Sequence, residues 1–230
     1  MKTIILIIIE VVTLSVVLST EAQGTFQNLN FELANTGSLT FALDVPVTSA
    51  LPYWTVTTEG VQQTQIVYNG ESAGAPAVNL IGPGYNPDVI PAPIDGNYSV
   101  FLQGSFPGSA AISQTGLIPT GTQSLFFEAD PADDTAPPGQ LELQVGTQVV
   151  PFFAVETEPT YTLYGANISA WANDTEPLTF TAMQDNTALN NWEIDDISFS
   201  TNAVSPEPNI LALTAIGGLL FGARKRFVRR

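Results

Sequence analysis

Carboxylates are the only ionisable side chains that this chain offers to chemistry in quantity. Of its 22 Asp and Glu, all but Glu10 and Glu207 lie between Glu21 and Ser205, which leaves 20 there. The six Lys and Arg are Lys2 and five residues within Arg224–Arg230, so residues 3–223 carry no basic side chain, and His and Cys are absent throughout. Nucleophile–imidazole triads, Schiff bases, thiolates and imidazole-based metal sites are therefore closed to the domain. Two carboxylates alone can hydrolyse a glycosidic bond, so a carboxylate-based glycan hydrolase is the catalytic class left open. No carboxylate pair stands in a recognisable catalytic setting, and a noncatalytic binding or structural protein is the expectation. A formal net charge of −16 repels phosphates and anionic headgroups, which argues against nucleic acid as a partner. Divalent cations, neutral glycans and basic partners stay open.

Two kinds of side chain could still bind something. Asp195 shares strand parity with Ile197 and Phe199, so it is expected to point toward the packed side, with Asp196 facing solvent. A buried carboxylate there is costly unless a metal or hydrogen-bond donors satisfy it. Among the aromatics, Trp54 and Trp192 read as core. Trp171, beside a polar Asn-Asp-Thr stretch, and Tyr85, in Gly-Tyr-Asn-Pro, are the expected ligand-binding rings, which could stack on sugar faces. Asp130, Asp133 and Asp134 read as an acidic surface loop.

The elements that must position these residues are β throughout. Strands are expected at 26–33, 54–58, 62–68, 97–103, 110–114, 124–129, 140–145, 149–154, 161–170, 178–183 and 192–200. These runs are rich in β-branched and aromatic residues and bounded by Gly, Pro, Asn and Asp. Leu141-Glu-Leu-Gln-Val145 alternates as a half-buried strand should, and Tyr98, Val100 and Leu102 share one face. No helix is expected between residues 23 and 205. About 180 residues suffice for one domain with a sizeable core, and some eleven short strands argue for an all-β, antiparallel two-sheet sandwich.

The order of motifs resembles galactose-binding-like jelly rolls of the carbohydrate-binding-module type. Asn28-Leu-Asn-Phe-Glu32 opens the domain and Tyr53-Trp54-Thr55 follows. Asp95-Gly-Asn-Tyr-Ser-Val-Phe-Leu102 and Ile112-Ser-Gln-Thr115 come next, and Trp192-Glu-Ile-Asp-Asp-Ile197 closes it. The resemblance spans roughly residues 28–200 and implies a jelly roll over 23–204. It also implies first and last strands side by side near a structural Ca²⁺, with Glu32, Asp195 and Asp196 as the metal-site residues. An oxygen-rich chain without counter-charges suits such a hard cation.

The two ends imply export. Met1-Lys2, an apolar stretch over 3–18 interrupted by Glu10, and Thr20-Glu21-Ala22 read as a signal peptide over 1–22. At the other end, Ser205-Pro206-Glu207-Pro208 precedes an uncharged run, Ile210–Ala223, and a basic tail containing Arg224, Lys225 and Arg226. Fourteen residues at about 1.5 Å rise reach roughly 21 Å, short of a ~30 Å hydrocarbon core, and snorkelling Arg side chains help to close the gap. The order of Pro-Glu-Pro, single transmembrane helix and Arg-rich end over 205–230 resembles the PEP-CTERM sorting signal of Gram-negative bacteria. That resemblance implies transient anchoring in the inner membrane and processing by an exosortase. Delivery to the cell surface or matrix would follow, with extracellular polysaccharide as a partner.

Overall fold

The computed structural model describes residues 25–72, 74–132, 140–184 and 190–204. In chain order the first elements are β1 (Ala42–Pro46), a single-turn helix α1 (Val47–Ala50), β2 (Thr55–Thr58), β3 (Val61–Gln63), β4 (Gln65–Tyr68) and β5 (Ala77–Ile81). Then come β6 (Ser99–Gly104), β7 (Ala110–Leu117), β8 (Ser124–Pro131), β9 (Leu141–Val145) and β10 (Gln148–Val149). The last are β11 (Phe152–Thr157), β12 (Thr162–Asn167), a 3₁₀ turn (Ser169–Trp171), β13 (Thr175–Ala182) and β14 (Asn190–Ser200). They build an eight-stranded sheet, β1-β4-β5-β6-β14-β8-β12-β11, facing a six-stranded sheet, β10-β9-β13-β7-β2-β3. The chain crosses repeatedly between the sheets, as in a jelly roll, and every strand pair is antiparallel except β4 with β5.

Alternation decides which side chains meet between the sheets. In β9 the pattern is strictly buried and half-buried by turns. Val100 and Leu102 of β6 point inward, joined by Leu125, Phe127 and Ala129 of β8 and by Ile112 and Phe180 from the facing sheet. Phe127 is the hub, with ring centroids 5.2 Å from Phe152, 5.5 Å from Tyr164 and 5.0 Å from Phe180. Such edge-to-face and offset pairs add to the area they bury. Trp54 and Trp192 are core residues as expected, and each indole N–H is satisfied, by Asn28 O and Asn190 Oδ1 respectively, both at 2.9 Å.

All six residues of β6 are buried, which an ordinary half-covered strand would not allow. The second face of this strand lies under the chain that links β5 to β6. There Phe101, Ile81 and Ile90 form a small second cluster, with Tyr85 and Ala132 packed on it.

Four expectations need correction. Residues 26–33 form turns, because Asn28 and Phe31 adopt left-handed conformations (φ 53° and 56°) that an extended strand cannot accommodate. Phe26, Leu29 and Phe31 nevertheless plug the core, and Leu29 O accepts the Ile197 N–H at 3.0 Å, so this segment does lie along β14. The runs 62–68 and 149–154 are each two strands in different sheets rather than one. Short helical turns, α1 and Ser169–Trp171, occur where none was expected. Strands β1 and β5 were not anticipated at all; Pro46 ends the first, and both are short runs flanked by Gly, Pro and polar residues.

Candidate functional site

The carboxylates singled out from the sequence converge on one short segment, Ile94–Tyr98, which leads into β6. Glu32 Oε1 accepts the backbone N–H of Asn97 at 2.6 Å and of Tyr98 at 2.9 Å, while Oε2 accepts Asn97 Nδ2–H at 2.9 Å. Asp195 Oδ2 accepts the Asp95 N–H at 3.3 Å, and its Oδ1 accepts the following Asp196 N–H at 2.8 Å. Glu193 accepts the Ser99 hydroxyl and the Ile94 N–H. Three acidic side chains therefore hold the amides of residues 94, 95, 97 and 98. Gly96 makes this geometry possible: its φ is +57°, and a Cβ there would stand 2.5 Å from Glu32 Oε1.

A β-bulge decides where Asp195 points. Trp192 and Ile194 face the core, and so do Ile197 and Phe199, although the two pairs have opposite parity. The register on β8 slips between Asp195 and Ser198, and Asp196 takes φ +42°. Asp195 thus lies on the outer face of the eight-stranded sheet, opposite Glu128, and not among the core residues as parity predicted. It is only 1% exposed because the 82–98 link covers it, whereas Asp196 is exposed as expected.

The electrostatics follow from this crowding of like charges. Burial pushes the Asp195 carboxyl up to about 9 and that of Glu193 up to about 8, against the partial relief of their hydrogen bonds. Glu128, also lifted mainly by desolvation, stands at about 6 despite a hydrogen bond from Tyr161. Asp196 is raised by desolvation and then by the charges of Asp95 and Glu32.

Among the described residues, no three His, Cys, Asp or Glu side chains are grouped so as to hold a metal ion. Glu32 and Asp195 grip opposite ends of the 94–98 segment, and the groups that meet their oxygens are N–H donors. With Asp196 they would supply only part of the six to eight oxygens that Ca²⁺ takes, and backbone carbonyls and water would have to supply the rest.

The two expected sugar-stacking rings are both half-buried and lie apart. Tyr85 packs on the small outer cluster beside β5, and Trp171 packs on the main core after β12, with three strands of the sheet between those elements. Beside Tyr85 the 84–89 loop instead helps to form a cleft of about 530 Å³ with Phe41, Asn69 and Glu71. Phe41 is the aromatic that sequence reading missed. It precedes an unrecognised edge strand, and its place on the cleft wall sets it apart from Tyr53 and Phe106, which are exposed but do not line that cleft.

The sorting residues Pro206, Glu207, Pro208, Arg224, Lys225 and Arg226, and the N-terminal segment 1–22, lie outside the described residues. Among the described residues no helix is long and apolar enough to cross a membrane.

No family model and no curated protein matches this sequence. Among solved structures, TmCBM61 in complex with β-1,4-galactotriose is 15% identical, with a TM-score of 0.39 over 78% of this chain and 99% of its own. The family 11 carbohydrate-binding module from Clostridium thermocellum, in complex with a β-1,3-1,4-mixed-linked tetrasaccharide, is 6% identical, with a TM-score of 0.34 over 73% of this chain and 99% of its own. The chain is similar to both only at this level.

Proposed function

We propose that the chain is an exported, noncatalytic protein whose β-sandwich binds glycan at the cell surface or in the extracellular matrix. The observation that carries the noncatalytic part is the use made of the carboxylates. Glu32, Glu193 and Asp195 accept hydrogen bonds from the fold's own amides and from Ser99, so they brace the 94–98 segment and are not presented to a substrate. A domain without any cation has no group with which to clamp an anionic substrate, and a hydroxyl-rich ligand meets less electrostatic resistance.

The ends extend the same reading. The signal-like N-terminus would direct export, and the Pro-Glu-Pro segment, apolar run and basic tail would be removed by an exosortase after transient anchoring in the inner membrane. The mature surface would then be purely acidic. Mass spectrometry of the mature C-terminus tests this, and an intact Arg230 in surface-localised protein would sink it. Calcium at Glu32, Asp195 and Asp196 belongs to the proposal as the neutraliser of that crowded acidic region.

For the binding itself, the purified chain is probed on a glycan array and pulled down with exopolysaccharide from its own cells. Association with at least one polysaccharide is expected. Absence from both assays overturns the glycan reading and leaves a structural coat component. A hydrolase is the second reading, favoured by Glu128: it holds its proton to about 6, and its Oε2 is buried with no hydrogen-bond partner among the described residues. Cleavage of a glycosidic bond that disappears in Glu128→Gln would establish it.

A further inference from the structure

The cleft beside β1 is built before any ligand arrives. Asn69 takes a left-handed conformation (φ 52°), and its side chain holds it there. Its Nδ2 donates to Thr40 O and Pro83 O, both at 3.0 Å, and its Oδ1 accepts the Gly82 N–H at 2.8 Å. One buried side chain thus ties the segment before β1 to the turn that faces it. Tyr68 donates to the same Pro83 carbonyl at 2.8 Å. Where the two walls meet, a Cβ on Gly84 would stand 3.1 Å from Thr40 Cγ2. Gly70 is the seat of Phe41: a Cβ there would stand 2.6 Å from the ring, so the missing side chain lets the ring rest on the backbone. That ring is still 55% exposed, held on one side and open on the other.

The lining chemistry narrows the occupant. Phe41 is the single aromatic ring among the lining residues, and Thr40, Ser72 and Asn86 stand around it. Asn86 Oδ1 accepts the Asp88 N–H at 3.1 Å, which fixes the amide and leaves its NH₂ as a donor. The Ser72 hydroxyl donates to Ala75 O, so toward a ligand it acts as an acceptor. One supported aromatic face ringed by neutral donors and acceptors suits a ligand with an apolar C–H face edged by hydroxyls, which a pyranose has. Proline-rich peptides dock in grooves lined by several aromatics, and this cleft has one. Charge is not what the cleft selects. Glu71, its one charged lining residue, already interacts within the chain, and the net charge of −16 opposes an anion. Resting on the glycan-binding reading above, we propose that this cleft seats an uncharged pyranose unit of a polysaccharide, with Phe41 under the sugar face and Asn86 donating to a hydroxyl.

The test titrates tetrasaccharides calorimetrically into the full chain in a sugar-free nonionic detergent. The neutral probes are tetramers of glucose, mannose, galactose and xylose. A galacturonate tetramer is the anionic counterpart and a fully deacetylated glucosamine tetramer the cationic one. At least one neutral tetramer should bind, with an affinity that barely changes as salt rises from about 0.1 to about 1 M, where screening shortens to ~3 Å. Both charged tetramers should bind at least about tenfold more weakly than it does. Phe41→Ala should weaken neutral binding by about tenfold or more, as truncating a central aromatic does. Asn86→Ala should weaken it by about threefold or more, the scale of one lost hydrogen bond. Phe106→Ala, at a 67% exposed ring outside the cleft, should leave the affinity unchanged.

Neutral-glycan binding that survives both Phe41→Ala and Asn86→Ala, or that Phe106→Ala weakens as much, overturns the inference while leaving the glycan reading intact. Tighter binding of either charged tetramer overturns it as well. A proline decamer that binds the wild type and not Phe41→Ala, with no sugar bound, overturns it and assigns the cleft to a peptide. Self-association that Phe41→Ala abolishes, without sugar binding, overturns it in favour of a second copy of this chain. No glycan bound at all, in these titrations or in the assays above, ends both proposals.

Discussion

The acidic clamp around residues 94–98 makes an unusual demand on pH, and Asp195→Asn tests it. A carboxyl whose folded pKa is raised contributes stability that is fully present below its unfolded value and is lost as pH rises through the folded one. For Asp195 that window runs from 3.8 to about 9, and for Glu193 from 4.5 to about 8. At about 1.4 kcal/mol per pH unit, ionising Asp195 in place costs on the order of 7 kcal/mol, comparable with a typical domain stability of about 5–15 kcal/mol. That figure is an upper bound, because the 94–98 segment can open and admit water before the whole fold gives way. Asn at position 195 removes the proton linkage. It keeps one oxygen acceptor but places an NH₂ where Oδ2 meets the Asp95 N–H, which costs about 1–3 kcal/mol. In EDTA, the wild-type melting temperature should therefore fall steadily from about pH 5 to about pH 9, by roughly 10 °C or more at ~2–4 °C per kcal/mol. The variant should start a few degrees lower, fall less steeply and overtake the wild type in the alkaline range. Thermal melts followed by circular dichroism at intervals of one pH unit suffice. A wild-type melting temperature that rises between pH 5 and 9, or parallel curves for the two proteins, would refute the reasoning. The general repulsion of a −16 chain changes little with one substitution, so it cannot produce a difference in slope.

Three further outcomes are expected. Adding calcium at neutral pH should raise the wild-type melting temperature and EDTA should lower it; an unchanged value excludes a structural ion at Glu32, Asp195 and Asp196. Gly96→Ala should destabilise by about 1–3 kcal/mol in urea titrations, because the left-handed backbone penalises a side chain and the new Cβ meets Glu32 Oε1. Phe127→Ala should cost about 3–5 kcal/mol by the same assay, because the ring packs against Phe152, Tyr164 and Phe180 and little around it can collapse.

Much of the scaffold was legible because strand patterning is local. Period-two alternation identified β9, and the inward face of β6 followed from Val100 and Leu102, because each signal sits within a handful of adjacent residues. Asp195 stood out as a carboxylate expected against the packed side, and Glu32 through the jelly-roll resemblance, both as metal ligands. Their role in the fold was not legible, because, the adjacent Asp196 N–H aside, the amides that satisfy them belong to residues 65 to 100 positions away in the chain. The parity argument for Asp195 failed for a related reason. A bulge is one extra residue set against a partner strand, and nothing in Glu-Ile-Asp-Asp-Ile announces which residue β8 will leave unmatched.

What the sequence by itself determined is the β class, the size of the core and the absence of His and Cys, and of Lys and Arg from residues 3–223, since these depend only on residue type and short-range order. The tertiary structure alone decided that three acids hold one bend, that residues 26–33 plug the core without forming a strand, and that Phe41, Asn69 and Asn86 share a cleft. Those are meetings between distant segments, set by register and by which backbone donors need acceptors, and no local pattern encodes them.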